Sequence, residues 1–163
     1  MTPLDGIKAM TLPPLQDDAM LVLWRVAAMQ REALSVAEAW GFEAKTELVW
    51  QKLTKHGKKH FGQGRYTRGS HETALICTRG RFRVRSHSIR STFDARMPLD
   101  ARGKIIHSAK PDEFYALIEE LASGPYAELF ARRRRRGWRQ YGDELPPRVM
   151  RVRAPAIEFR AAR

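Results

Sequence analysis

Residues 107–144 read HSAKPDEFYALIEELASGPYAELFARRRRRGWRQYGDE. The stretch divides into a lysine-bearing turn, a helix, a short apolar strand with an acid in it, a basic loop, and a second strand that closes on two carboxylates. Pro111, Asp112 and Glu113 put a helix starter and two acids in a first turn, where the helix dipole favours negative charge. Phe114, Leu117, Ile118 and Leu121 then recur at 3,4 spacing, which predicts a helix with one face on a sheet. Lys110 lies just before that helix, beside His107 and Ser108. A cation and two polar side chains at a helix N-terminus could hold a carboxylate or a phosphate.

The strand AELF, 127–130, carries Glu128, and a carboxylate in a core strand needs a partner. Arg132, a ligand donor, or an arginine from the surface could supply it. Open α/β sheets bind nucleosides beyond the carboxyl ends of such strands. In GWRQYGDEL, Trp138 and Tyr141 can stack on a ligand or pack in a core. Asp143 and Glu144 could accept hydrogen bonds from ribose hydroxyls, although acids after a glycine are also ordinary turn residues.

Upstream, residues 4–10 suit a short helix that Pro13-Pro14 bars from continuing. AMLVLWRV, 19–26, is an apolar run of the kind buried on both faces of a parallel sheet. Helical periodicity follows, with Met29, Leu34, Val36 or Ala37 and Trp40 as its stripe and Gly41 as its C-cap. KTELVWQK, 45–52, predicts a strand with Leu48 and Trp50 on one face. ETALICT, 72–78, predicts another, ended by the turn at Arg79-Gly80. Strand, helix, glycine, strand is a βαβ rhythm. The alternating RFRVR that opens 81–104 suits an edge strand leading into a long loop, and RVMRVR in the tail suits another edge strand.

The length of 163 residues suits one domain. The expected arrangement is a domain over 1–145 with a basic, proline-containing tail over 146–163. A single cysteine, Cys77, excludes an internal disulfide framework, and five scattered histidines give no metal-binding pattern. No apolar run reaches eighteen residues and the start has no leader pattern, so a soluble, cytoplasmic protein is expected, away from any membrane. The net charge of +12 is lopsided: residues 1–50 hold 7 acids and 4 bases, whereas the remainder holds 11 acids and 26 bases. Such a surplus predicts a nucleic-acid partner. The candidate phosphate contacts are Lys58, Lys59, Arg65, Arg68, Arg81, Arg83, Arg85, Arg134 and Arg135.

HSAKPDEFYALIEEL, AELFARR and GWRQYGDE, in that order, resemble the closing half of the MT-A70 family of adenine-N6 methyltransferases. LVLWRV, AWGFEAKTELVWQK, GQGRYTRGSHE and ALICTRG resemble its upstream segments. The resemblance implies an α/β chain with a partial or permuted class I S-adenosylmethionine-dependent methyltransferase (Rossmann-like) fold, a mostly parallel sheet with flanking helices. It also implies that Lys110, Glu128, Arg132, Asp143 and Glu144 lie at S-adenosyl-L-methionine. Asp143 stands where the family usually has Asn, which keeps an acceptor and loses a donor.

The family's catalytic motif, Asp-Pro-Pro-Trp, does not occur in these 163 residues, and no catalytic residue is assigned. In such a sheet its strand lies between AELF and LVLWRV. A start assigned too late, a degenerate remnant, or a split enzyme whose partner subunit supplies the strand would each produce this pattern. The expected function is N6-adenine methylation of nucleic acid, DNA in preference to RNA, with upstream sequence or a partner subunit. The rival is a catalytically inactive methyltransferase-like subunit that binds nucleic acid or an active partner.

Overall fold

The computed structural model describes residues 3–145, which fall into two compact units divided between Tyr126 and Ala127. The first unit holds α1 (Leu4–Lys8), β1 (Ala19–Arg25), α2 (Gln30–Ala39), β2 (Glu43–Leu53), β3 (His71–Arg79), β4 (Thr92–Arg96) and α3 (Asp112–Leu121). Its four strands lie in the order β1-β3-β2-β4. β3 is antiparallel to both β1 and β2, and β2 is parallel to β4. The chain is therefore α/β and broadly Rossmann-like, with a mixed sheet flanked by helices.

The expectation of a mostly parallel sheet is corrected by this topology. β1, β2 and β4 do share one direction, so the β1-α2-β2 crossover is a parallel unit as its rhythm predicts. β3, however, folds back from β2 and fills the gap that the crossover leaves beside β1. An antiparallel return needs only a loop, whereas a parallel neighbour needs a crossover.

The same topology corrects the reading of 19–26 as a strand buried on both faces. β1 is at the sheet edge and every residue in it is only half-buried. Central burial belongs to β3, where Thr73, Ala74, Leu75, Ile76 and Cys77 are all inside. Two-sided burial also pushes the Cys77 thiol pKa up, because a thiolate there would lose hydration.

The predicted edge strand after β3 also moves. It forms at β4 rather than at the alternating 81–85, where Arg81, Arg83 and Arg85 are exposed and Phe82 and Val84 half-buried outside any strand.

Side-chain alternation decides what each face of the sheet presents. Trp24 opposes Ala74, which opposes Leu48, and two residues along Glu72 opposes Trp50. All five share one face, and α3 covers it: the Trp24 and Phe114 rings meet edge-on with centroids 4.9 Å apart. Trp50 is 2% exposed and its indole Nε1 donates to the Ala95 carbonyl at 2.9 Å, joining β2 to β4. α2 packs against β1 and β2 through Ala33, Val36, Ala37 and Trp40. Met29, expected in that stripe, is exposed just ahead of the helix.

The second unit, Ala127–Arg163, contains a two-stranded sheet of β5 (Tyr126–Leu129, which begins at the division) and β6 (Trp138–Tyr141). The expected tail at 146–163, with its proposed RVMRVR strand, lies outside the described residues. Among the described residues no helix is long and apolar enough to cross a membrane.

Candidate functional site

Where β1 and β2 end and β3 begins, one carboxylate meets two lysines. Glu72, the second residue of β3, receives Lys52 Nζ on Oε1 at 2.5 Å and Lys110 Nζ on Oε2 at 2.6 Å. Lys52 reaches it because Trp50 and Lys52 lie two apart on β2 and so share a face with the residue that opposes Trp50. Lys110 comes from the turn that precedes α3, as the sequence predicts, and stands 4.6 Å from the centroid of the Trp24 ring. Lys52 stands 5.3 Å from that of Trp50. Two ammonium groups on indole faces, bridged by one carboxylate, make a compact charged cluster on an aromatic floor.

The electrostatics have a definite sign. Burial, the largest single influence on Glu72, favours its neutral form. The hydrogen bonds and charges of Lys110 and then of Lys52 together outweigh it and hold the carboxyl below its ordinary value of 4.5. The cluster thus carries one negative and two positive charges at neutral pH. Next to it, Trp24 Nε1 and Arg25 Nε are buried without a hydrogen-bond partner. Arg25 Nη2 reaches Glu47 at 3.4 Å across the opposite face.

The remaining predicted cofactor residues lie in the second unit. Arg132, expected as the partner of Glu128, turns instead to Glu144, with Nη1 to Oε2 at 2.8 Å. Glu128 accepts from Gln140 Nε2 at 2.7 Å, and Gln140 also accepts from Arg135 N and donates to the Arg133 carbonyl. The reason is register: Ala131 N donates to the Tyr141 carbonyl at 2.9 Å, so the start of the arginine run lies against the end of β6. Asp143 and Glu144 occupy an exposed turn, Trp138 is half-buried, and Tyr141 is 43% exposed. Lys110 therefore belongs to one unit, and Glu128, Arg132, Asp143 and Glu144 to the other.

The phosphate-contact candidates do not form one group. Lys58, Lys59, Arg65 and Arg68 are exposed on the 54–70 loop that joins β2 to β3. Arg81 lies past the opposite end of β3, about 30 Å away along a nine-residue strand. Arg83 and Arg85 follow it, and Arg85 Nη1 donates to the Glu119 carbonyl at 3.2 Å. Arg134, which is exposed, and Arg135, which is half-buried, lie in the second unit. Among the described residues no three potential metal ligands cluster.

Sequence reasoning passed over Glu72 and Lys52. The signal for Glu72 was present: it is an acid opening an otherwise apolar strand, with no base in 73–77 to neutralise it.

A mixed α/β sheet with a charged, aromatic-floored cluster at the carboxyl ends of its parallel strands has the broad layout of a Rossmann-like chain. The sequence places it further: the MT-A70 family model matches residues 1–144, and the chain belongs to that family. It is 32% identical over 136 residues to the type II methyltransferase M.MunI of Mycoplasma sp, covering 80% of this chain and 52% of that protein. It is 28% identical over 155 residues to the N(6)-adenosine-methyltransferase MT-A70-like of Arabidopsis thaliana, covering 86% of this chain and 20% of that protein. With the human N(6)-adenosine-methyltransferase catalytic subunit METTL3 it shares 29% identity over 140 residues, 78% of this chain and 22% of that one. The chain thus spans about half the length of the first relative and about a fifth of the others. Relatives from plants, insects, fish and mammals carry the N(6)-adenosine-methyltransferase name, and adenosine is a ribonucleoside. That overturns the expected preference for DNA over RNA.

Proposed function

We propose that this chain is part of an S-adenosyl-L-methionine-dependent methyltransferase that modifies N6 of adenine in RNA. The observation that carries the reading is Lys110: a half-buried ammonium held between Glu72 and the Trp24 face, just before α3, in a chain that the family model matches almost throughout.

The donor set suits the cofactor's chemistry. In the second unit Glu128, Asp143 and Glu144 are acceptors suited to ribose hydroxyls or an ammonium and Arg132 is a cation; in the first, Lys110 is a cation suited to a carboxylate. S-adenosyl-L-methionine would supply the electrophilic methyl group. The chain's own contribution is to orient its polar groups and to keep the aromatic floor dry. Of the assigned residues, Asp143 is the weakest fit, because it stands where the family usually has Asn and so lacks a donor.

The acceptor half of the site needs an acid to take hydrogen bonds from the adenine amine, and no Asp-Pro-Pro-aromatic run occurs in these residues. We assign that element to a strand from preceding sequence or a partner subunit, seated on β1, which among the described residues pairs on one side only. On this reading the sheet is part of a permuted class I methyltransferase, and 1–145 is its domain. A second reading, a binding subunit without catalysis of its own, draws on the same missing motif.

Calorimetric titration of S-adenosyl-L-methionine into the chain tests the reading. Binding that Lys110→Ala and Glu128→Ala each abolish is the expected result. Absence of binding by the wild-type chain, alone and with a strand-supplying segment added, would leave the binding-subunit reading in its place.

A further inference from the structure

Between β2 and β3 the chain leaves the sheet for residues 54–70, TKHGKKHFGQGRYTRGS. The loop holds five lysines and arginines, and no acid occurs from Leu48 to His71. It also holds two aromatic rings in solvent: Phe61 is 76% exposed and Tyr66 91% exposed. Each ring has a guanidinium beside it, Arg68 Cζ at 5.4 Å from the Phe61 centroid and Arg65 Cζ at 5.8 Å from that of Tyr66.

The loop is shaped by its own backbone. His60 N donates to the Lys52 carbonyl at 2.8 Å, Thr54 N to Lys58 at 2.8 Å and Gly62 N to Gly69 at 3.0 Å, and Arg68 Nη1 donates to the Gly64 carbonyl at 3.2 Å. A Cβ at residue 64 would collide with the Thr67 carbonyl oxygen, so this turn requires glycine. Phe61 and Tyr66 thus stand in solvent five positions apart, each beside a guanidinium, and a stacking partner would cover both. The charge selects the partner. Rings interleaved with cations and free of acids match bases that stack and phosphates that need neutralising, the pattern of single-strand binding.

We propose that Phe61 and Tyr66 are a base-stacking platform for single-stranded RNA, with Arg65, Arg68, Lys58 and Lys59 on the flanking phosphates. The proposal rests on the RNA-methyltransferase reading above and adds to it how substrate reaches the site. The loop departs after Lys52 and Leu53 and re-enters at His71, next to Glu72. A strand stacked on it is thereby delivered to the end of the sheet that carries the Glu72 cluster. A duplex keeps its bases stacked on one another and offers the rings no free face.

The experiment is fluorescence anisotropy of a short unstructured RNA, and of the same sequence as a duplex, with the full chain over a salt series. Phe61→Ala and Tyr66→Ala are each expected to weaken single-strand binding roughly 5- to 100-fold. The salt slope should stay unchanged, the thermal midpoint should stay that of wild type, and Tyr66→Trp should restore affinity. Lys58→Gln with Lys59→Gln should instead flatten the slope, by about 0.7 for each phosphate that is no longer neutralised. Single-strand affinity within twofold of wild type in both alanine variants overturns the platform while leaving RNA binding intact. Tyr66→Ala that alters self-association by sedimentation and spares RNA affinity assigns the loop to a protein contact and overturns it too. A wild-type chain that binds no RNA at low salt removes the RNA reading and the platform together.

Discussion

Lys110 Nζ donates to Glu72 Oε2 at 2.6 Å, joining the turn before α3 to the first residues of β3 across 38 positions of sequence. Lys52 occupies the other carboxylate oxygen, so one acid restrains two cations that would otherwise repel each other. Removing the acid should therefore hurt more than removing either base. Glu72→Gln is expected to lower stability by about 1.5–3 kcal/mol, the range for a hydrogen bond to a charged group. Lys52→Met, which leaves the Glu72–Lys110 pair in place, should cost less. Urea unfolding of the two variants beside wild type decides the order, and equal losses would contradict it.

The same cluster fixes a pH dependence. Because the folded state holds the Glu72 carboxyl below 4.5, its contribution to stability is complete above that value. It is lost as pH falls from 4.5 through the depressed folded pKa, where the carboxyl takes a proton and releases the lysines. The stability gap between wild type and Glu72→Gln should thus be constant from pH 7 to pH 5 and should close toward pH 3. A gap that persists unchanged at pH 3 would show that the lysines do not hold the carboxylate.

Trp50 contributes through packing and through one donor. It is 2% exposed, its ring meets Trp24 edge-on at 6.4 Å, and its Nε1 holds the Ala95 carbonyl. Trp50→Ala is expected to cost about 3–5 kcal/mol. Trp50→Phe keeps most of the ring but orphans the carbonyl, and about 1–3 kcal/mol is expected. Chemical denaturation measures both. A Phe variant as stable as wild type would mean that the β2–β4 seam does not depend on this bond.

Gly142 makes a local claim on the second unit. A Cβ there would fall 2.5 Å from the Ala131 carbonyl oxygen and 2.8 Å from Ala131 N, in the backbone that sets Arg132 against Glu144. Gly142→Ala should displace that pair and weaken S-adenosyl-L-methionine binding by at least tenfold, about 1.4 kcal/mol. The thermal transition of the first unit should be unaffected. Calorimetry with the variant checks this, and wild-type affinity would remove the Arg132–Glu144 turn from the proposed site.

Local pattern carried most of the elements. The apolar runs at 19–26 and 72–78, the 3,4 spacing after Pro111 and the Leu48/Trp50 alternation each reappear as a strand, helix or face. What they could not carry was pairing. A strand buried on both faces and a half-buried edge strand can both read as a run of Leu, Val and Trp, so the run at 19–26 reads as central although β3 holds that position. Likewise Arg132 is nearer to Glu128 than to Glu144 in sequence. The register of two short strands, which no periodicity encodes, reverses that choice. Glu72 takes its lysines from 20 positions before and 38 after, a distance that only the fold closes.

β1 gives the last prediction. Its residues pair with β3 from Ala19↔Arg79 to Arg25↔Thr73, and among the described residues nothing pairs on its other side. In an edge strand alternate amides point away from the neighbour, and an apolar edge of this length is a template for another strand. Hydrogen exchange of the isolated chain should therefore show β1 amides alternating between protected and fast. Adding a segment that carries the missing strand should slow the fast set alone, because the β3-facing amides are already bonded. Uniform protection along β1 in the isolated chain, or no change on adding the segment, would remove this edge as the seat of the catalytic strand.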